Sequence, residues 1–231
     1  MIIRLLSLAA VTGLSCASAL AGRPMATEDA GVLDAGACEL ESFAGRSRPA
    51  GGPSSQVLSM QLGCGVGANS QLALAAARSN SDGESTRTLT LLGKTALNPD
   101  ADDDAPSYAL AWALGADSAQ GGMRHEGTAL NAVMSWPLHD KVTLHANIGW
   151  SHSASAKQST TGWAVGVEHN FVNALDMTAE TYGNDRESAP WVQVGLRWAV
   201  RPNQLYVDTN YGVQVGGDRQ RSISVGLRWA F

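Results

Sequence analysis

Ser222-Ile223-Ser224-Val225-Gly226-Leu227-Arg228-Trp229-Ala230-Phe231 divides cleanly by parity. Ile223, Val225, Leu227, Trp229 and Phe231 fall on one side of an extended chain, and Ser222, Ser224, Gly226, Arg228 and Ala230 on the other, because successive side chains of a strand point to opposite faces. One face is apolar and the other small or polar. The division returns upstream: Val192, Val194, Leu196, Trp198 and Val200 oppose Gln193, Gly195 and Arg197, and Val142, Leu144, Ala146, Ile148 and Trp150 oppose Thr143, His145 and Asn147. Between such segments stand clusters of Gly, Ser, Asn, Asp and Pro, the punctuation of strands and turns.

Alternation suits a soluble sandwich, which hides its apolar face, and a membrane barrel, which shows that face to lipid. Two features favour the barrel. Trp136, Phe171, Trp198, Trp229 and Phe231 sit toward one end of their strands and Trp150, Trp163 and Tyr211 toward the other, as girdles at two membrane interfaces do. The opposite face, rich in Gly, Ala, Ser and Asn, is too poor in bulk to pack a sandwich core. After residue 21 no stretch approaches the roughly 20 apolar residues of a spanning helix, and a net charge of -5 gives no basic stripe for nucleic acid.

The predicted fold is therefore all-β, a transmembrane antiparallel up-and-down barrel of about twelve strands in the outer membrane. The predicted spans are 37–46, 55–65, 69–79, 86–96, 106–116, 125–136, 141–151, 161–171, 175–183, 190–200, 204–214 and 221–231. With the N-terminus periplasmic, most turns on that side are short and the outer connections longer. Asn98-Pro99-Asp100-Ala101-Asp102-Asp103-Asp104 is long for a periplasmic turn and questions the strand count.

Arg4, the apolar run Leu5 to Leu14 and Ala19-Leu20-Ala21 have the form of a cleavable export signal over 1–21. A lipoprotein reading at Cys16 fails on Gly13, where a branched apolar residue belongs. Residues 22–36 are then a periplasmic segment and 37–231 the barrel. Export places Cys38 and Cys64 in an oxidising compartment. They fall opposite one another at the periplasmic ends of strands one and two, which suits a disulfide, the alternative being two separate lipid-facing thiols.

Thr27-Glu28-Asp29-Ala30-Gly31, followed by Gly36-Ala37-Cys38-Glu39-Leu40-Glu41, resembles the opening of the putative MetA-pathway of phenol degradation family of transporter-like outer-membrane proteins. The resemblance implies a barrel and passage of aromatic compounds. It implies no catalytic residue.

Candidate chemistry is sparse. Parity assigns to the lumen Glu39, Glu41, Lys94, His145, Asn147, Glu168, Asp176, Glu180, Arg197, Asp208 and Arg228, a mixed lining with an acidic excess that would favour cations in an open pore. A hydrolase needs a serine, a histidine and an orienting group; His145, Asn147, Ser151, His152 and Ser153 come nearest, with no serine beside His145 in sequence. Glu39 and Glu41 share a face as any polar pair two apart does. Asp100 to Asp104 lacks the glycine and terminal glutamate of a calcium loop, and no zinc-spaced Cys/His cluster appears. Neither metal nor cofactor is expected. Trp191 has lumen parity near the outer rim, where stacking on an aromatic solute competes with plugging. Arg46, Arg78, Arg87, Arg124 and Arg221 have outward parity near the outer strand ends, suited to lipopolysaccharide phosphates if they are not simply solvated. Trp229 and Phe231 form the expected signal for the barrel assembly machinery. The function so read is a passive channel or transporter for small solutes, not an enzyme. A structural or surface-interaction barrel is the alternative, with an outer-membrane hydrolase third.

Overall fold

The computed structural model describes residues 23–231 apart from 120, 173, 188 and 218, so the expected export signal and Cys16 lie outside the described residues. Twelve strands follow in order: β1 (Cys38–Arg48), β2 (Ser55–Gly67), β3 (Ser70–Ser81), β4 (Glu84–Ala96), β5 (Ser107–Asp117), β6 (Arg124–His139), β7 (Val142–Ser153), β8 (Gln158–Val172), β9 (Leu175–Asn184), β10 (Trp191–Arg201), β11 (Leu205–Gln214) and β12 (Arg221–Ala230). Each pairs antiparallel with its chain neighbours. β12 returns to β1, in register from Glu39 opposite Ala230 to Arg48 opposite Arg221, and closes the barrel. Closure leaves no unpaired edge, the condition for strands in hydrocarbon, where no water can satisfy a free N–H or C=O.

The predicted strands agree with this architecture. The connection 97–106, which questioned the count, is a folded turn: the Asn98 side chain accepts from the Tyr108 N–H at 2.7 Å and donates to the Pro106 carbonyl at 2.9 Å. On the opposite rim the connections at 49–54, 82–83, 118–123, 154–157, 185–190 and 215–220 are short, none exceeding six residues. None of them is long enough to fold deep into the bore.

Which face is inside is decided by exposure. Ile148 is 62% exposed and Val225 54%, whereas Lys94 is 5% and Asp208 3% exposed. A barrel surface of exposed Leu, Val and Ile running between two aromatic rims is a surface for lipid. Trp112 lies on this outer face against Gly93, where a Cβ would meet the indole, and joins the lipid-facing aromatics.

Inside, one side of the bore is filled by Ala73, Ala75, Leu92, Ala113 and Ala129. Much of the rest is occupied by the chain itself. Residues 23–36, expected as a periplasmic segment, instead run within the barrel before turning into β1. The physical reason is the inner face's surplus of small and polar residues, which leaves room and hydrogen-bonding capacity for a backbone. At the entry, Ala35 bridges Gly65 and the Gly36 N–H donates to the Gly65 carbonyl. A Cβ at Gly65 would overlap the Asp34 carbonyl oxygen, so only glycine lets the strap pass there. The adjoining Cys38 and Cys64 are directly opposite in register and joined by a disulfide, with Cα atoms 4.1 Å apart.

Candidate functional site: a strapped bore

The strap 23–36 makes no strand through most of its length, so its backbone groups need partners from elsewhere. Inward side chains of the wall supply them. Glu180 of β9 accepts from the Ala26 N–H at 2.8 Å and from the Thr27 N–H at 2.7 Å, and also from the Thr27 hydroxyl. Asn147 of β7 accepts from the Glu28 N–H at 2.6 Å and donates to the Glu28 carbonyl at 2.9 Å, copying with one amide a two-bond strand contact. Ser135 of β6 accepts from Ala30 N–H, and Gln71 of β3 from Leu33 N–H, both at 2.8 Å. Gln193 and Asn210 donate to the Pro24 carbonyl at 3.1 and 2.8 Å.

Charge is matched as closely. Arg23 bonds Asp208 of β11 at 2.7 Å and Ser224 of β12 at 2.9 Å, with its guanidinium 4.4 Å over the Phe43 ring. Lys94 of β4 lies 3.4 Å from Glu28 and 3.8 Å from Asp29, and donates to the Asp29 carbonyl at 3.0 Å. Burial pushes the Glu28 carboxyl up to about 7, against the opposing pull of Lys94 and of the Asn131 amide. Two further clusters pair charges within the wall, one of them also reaching the strap through Arg197 and the Arg23 carbonyl. Arg197 holds Glu168 at 2.6 Å and Asp176 at 2.9 Å, and Arg228 holds Glu39 at 2.7 Å. Both arginines lie against the ring of Tyr206.

All eleven residues assigned to the lumen thus lie on the inner wall, but they do not line an open acidic path. Asp208 is engaged by Arg23 of the strap, and Glu168, Asp176 and Glu39 by arginines of the wall. Glu180 serves strap N–H groups. Glu41 faces Arg228 across the β1–β12 register.

The structure also supplies the serine that the sequence did not place near His145. Ser135 and His145 are opposite in register, with the hydroxyl 2.8 Å from Nδ1. That hydroxyl also accepts the Ala30 N–H, and His145 Nε2 is buried without a partner among the described residues. Among the described residues no carboxylate is hydrogen-bonded to the imidazole, and the pair meets the strap through the Ala30 N–H. Ser151, His152 and Ser153 are elsewhere; His152 bonds Ser159 at 3.1 Å near the rim. Among the described residues no group of acids, histidines or cysteines is placed to hold a metal.

On the outer side of the strap is a cavity of about 140 Å³, with Ala26 in its floor and Asn131, Asn147, Ser151, Tyr182 and Glu187 among its walls. Tyr182 stacks on Trp191, ring centroids 6.1 Å apart and planes 4° from parallel, and the Trp191 indole N–H donates to Glu187 at 3.1 Å. Trp191 therefore contributes to an aromatic wall beside this vestibule.

Sequence reasoning missed Ser135, Asn131, Gln71, Gln193, Asn210 and Phe43 as strap contacts. Parity alone turns these side chains inward, yet nothing in a period of two announces that a separate segment will dock on them. The available signal was the excess of inner glycines. A Cβ at Gly226 would overlap the Arg23 side chain, and one at Gly195 would crowd Pro24.

A family model described as "Uncharacterised conserved protein UCP029691" matches residues 9–231. The chain belongs to that family. The match does not extend to the phenol-degradation family whose opening the Thr27–Gly31 run resembles. No curated protein matches in sequence. Solved outer-membrane barrels share the fold. The COG4313 outer membrane channel from Pseudomonas putida F1 aligns with a TM-score of 0.66 at 12% identity, covering 88% of this chain and 98% of that one. A KdgM porin in complex with disordered oligogalacturonate gives 0.65 at 8% identity, covering 84% and 99%. The toluene transporter TbuX of Ralstonia pickettii gives 0.54 at 8% identity, covering 88% and 92%. At these identities the likeness concerns fold.

Proposed function

We propose that the protein is a passive outer-membrane channel for small solutes, closed at rest by its own N-terminal strap. The observation that carries this reading is how the bore is filled. A barrel that served only as a wall would be closed most stably by apolar side chains packed across it. Here the closure is one discrete segment, held through polar contacts that water can replace one by one. Withdrawal of residues 23–33 leaves a polar passage. The fold's kinship with a porin, a channel and a toluene transporter supports the same reading.

Small aromatic solutes are the finer assignment. They are favoured by the Tyr182–Trp191 wall of the vestibule, on which a flat ring gains stacking area, and by the resemblance of the strap's own motif. The structural-barrel alternative retains one observation in its favour, the well-satisfied hydrogen bonding of the strap.

Planar-bilayer recording decides between them. The full protein is expected to show rare, brief current steps, and a variant lacking 23–31 frequent and larger ones, by at least about tenfold in mean current if strap docking holds more than 1.4 kcal/mol. Silence in both, with both folded, would leave the structural barrel.

A further inference from the structure

The outer face of β12, β1, β2, β3 and β4 carries a second set of charges that the bore does not use. Along this wall Arg46 and Arg78 line an open groove of about 710 Å³. Its other outward residues are Ala44, Leu58, Ile223 and Val225 toward the membrane and Gln56 and Asn80 toward the rim. Ala44 makes the depression, because its single methyl group leaves a trough between the exposed side chains of Leu58 and Val225, its register partners, and of Ile223.

The register concentrates cations around this groove. Arg78 lies directly opposite Arg87, and Arg48 directly opposite Arg221. Like charges facing one another across a ladder are destabilising unless something neutralises them. Within the described residues none of Arg46, Arg48, Arg78, Arg87 and Arg221 has a carboxylate within salt-bridge distance. Arg46 and Arg78 donate instead to hydroxyls, of Ser54 and Ser85. Depth has an independent marker. Arg46 is opposite Ile223 in register, and Ile223 is opposite Tyr211 of the aromatic girdle, so the groove lies within two strands of a girdle tyrosine, the kind of residue that sits at headgroup depth. Arg124, on β6 opposite Asp117, is remote from the groove and leaves the expected set, and Arg48 joins it.

We infer that this groove is a binding site for a phosphorylated lipid of the outer leaflet. Arg46, Arg78 and Arg87 take the phosphate, and the apolar trough below takes an acyl chain. A cationic rim directly above an apolar depression matches an amphiphile in both chemistry and direction. Guanidinium forks suit phosphate oxygens through paired, charge-assisted hydrogen bonds. The inference is independent of whether the bore conducts.

Native mass spectrometry of the folded protein from detergent tests it, with bisphosphorylated lipid A and the same lipid A stripped of phosphate as probes. The wild-type protein is expected to retain the phosphorylated probe at least about tenfold better than the stripped one. Arg46→Gln/Arg78→Gln/Arg87→Gln, checked for folding by heat-modifiable migration, should lose that preference, and millimolar inorganic phosphate should not displace the lipid. Equal retention of the two probes by wild-type protein would overturn the proposal without any variant. So would an undiminished preference in the folded triple variant. Displacement by inorganic phosphate would replace the lipid site by one for a free anion.

Discussion

On the outer face of β10, Val192, Val194, Leu196 and Trp198 project away from the barrel among exposed residues. On the inner face of the same strand Gln193 donates to the Pro24 carbonyl, Gly195 lies against the Pro24 ring, and Arg197 reaches the Arg23 carbonyl. The outer set faces a solvent and the inner set faces particular atoms. An outer valine can become leucine with little consequence, since lipid conforms to either. An inner residue is fixed by the shape and hydrogen-bonding pattern of one segment, and exchanging it alters where that segment lies. Folding and membrane placement therefore reside in one face and closure in the other.

Neighbouring positions of β10 offer the sharpest way to break that separation. Val194→Arg places a charge on the lipid face at a cost of roughly 2–4 kcal/mol near the midplane, and Val194→Arg with Val225→Arg should abolish the heat-modifiable folded form. Phe231→Ser, on the same face, should reduce assembly in cells while sparing protein already folded. Gly195→Val changes the very next residue on the inner side. It should leave folding intact and raise conductance toward that of the strap deletion, because the added methyl groups occupy the space of Pro24. Unfolding of the Gly195→Val barrel, or its folding with unchanged conductance, would show that the two faces are not separable in this way.

The same contrast explains what was legible in the sequence. The strand pattern of 222–231 needs only its own parity, so the outer face, the strand number and the two girdles could be read from local order. Cys38 and Cys64 could be placed together because a hairpin register is nearly local. The strap could not be placed, because its contacts join residues far apart in sequence, as Ala26 and Thr27 to Glu180 or Arg23 to Asp208. The small inner residues are visible in the sequence, but not what they make room for. They are room for a backbone. Likewise Glu168 and Asp208 were countable as lumen acids, but their neutralisation by Arg197 and Arg23 depends on three-dimensional pairing.

Ion selectivity sharpens the comparison by a smaller effect. With the strap in place its Arg23 neutralises Asp208 and its N–H groups engage Glu180. Removing 23–31 frees both acids and leaves the wall with Glu39, Glu41, Glu168, Asp176, Glu180 and Asp208 against Lys94, Arg197 and Arg228. The opened bore should favour cations, a preference of a few-fold at low salt that fades once the Debye length shortens to about 3 Å at 1 M. Reversal potentials under a salt gradient measure it, and Glu180→Gln/Asp208→Asn in the deletion background should lower it. Anion preference in the opened bore would mean that the wall arginines dominate.

The smallest effect expected is a pH dependence of closure, and its sign follows from Glu28. In the docked strap this carboxyl is buried beside Lys94 and Asp29, with Asn131 donating to it, and burial raises it from 4.5 to about 7. Once the strap leaves for water the carboxyl returns to its ordinary value. The docked state therefore binds a proton that the undocked state releases. Docking is strongest below the undocked value, weakens as pH rises between the two values, and levels off above the higher one. Withdrawal that begins at Arg23 opens a passage before Glu28 is fully in water, so only part of this difference reaches the current. Current through the full protein should accordingly increase from pH 5 to pH 7.5 by about two- to threefold. Glu28→Gln should flatten this rise. Asp29 lies on the strap too, and Lys94, Glu180 and Asp208 also meet it, as does His145, which holds Ser135 beneath Ala30; His145→Gln tests the share of the imidazole in the response. If Glu28→Gln leaves the profile unchanged and His145→Gln flattens it, the imidazole governs closure. If neither matters, neither Glu28 nor His145 governs closure, and the strap's hold rests on its other contacts, Arg23 with Asp208 and Glu180 with the N–H groups of Ala26 and Thr27 among them.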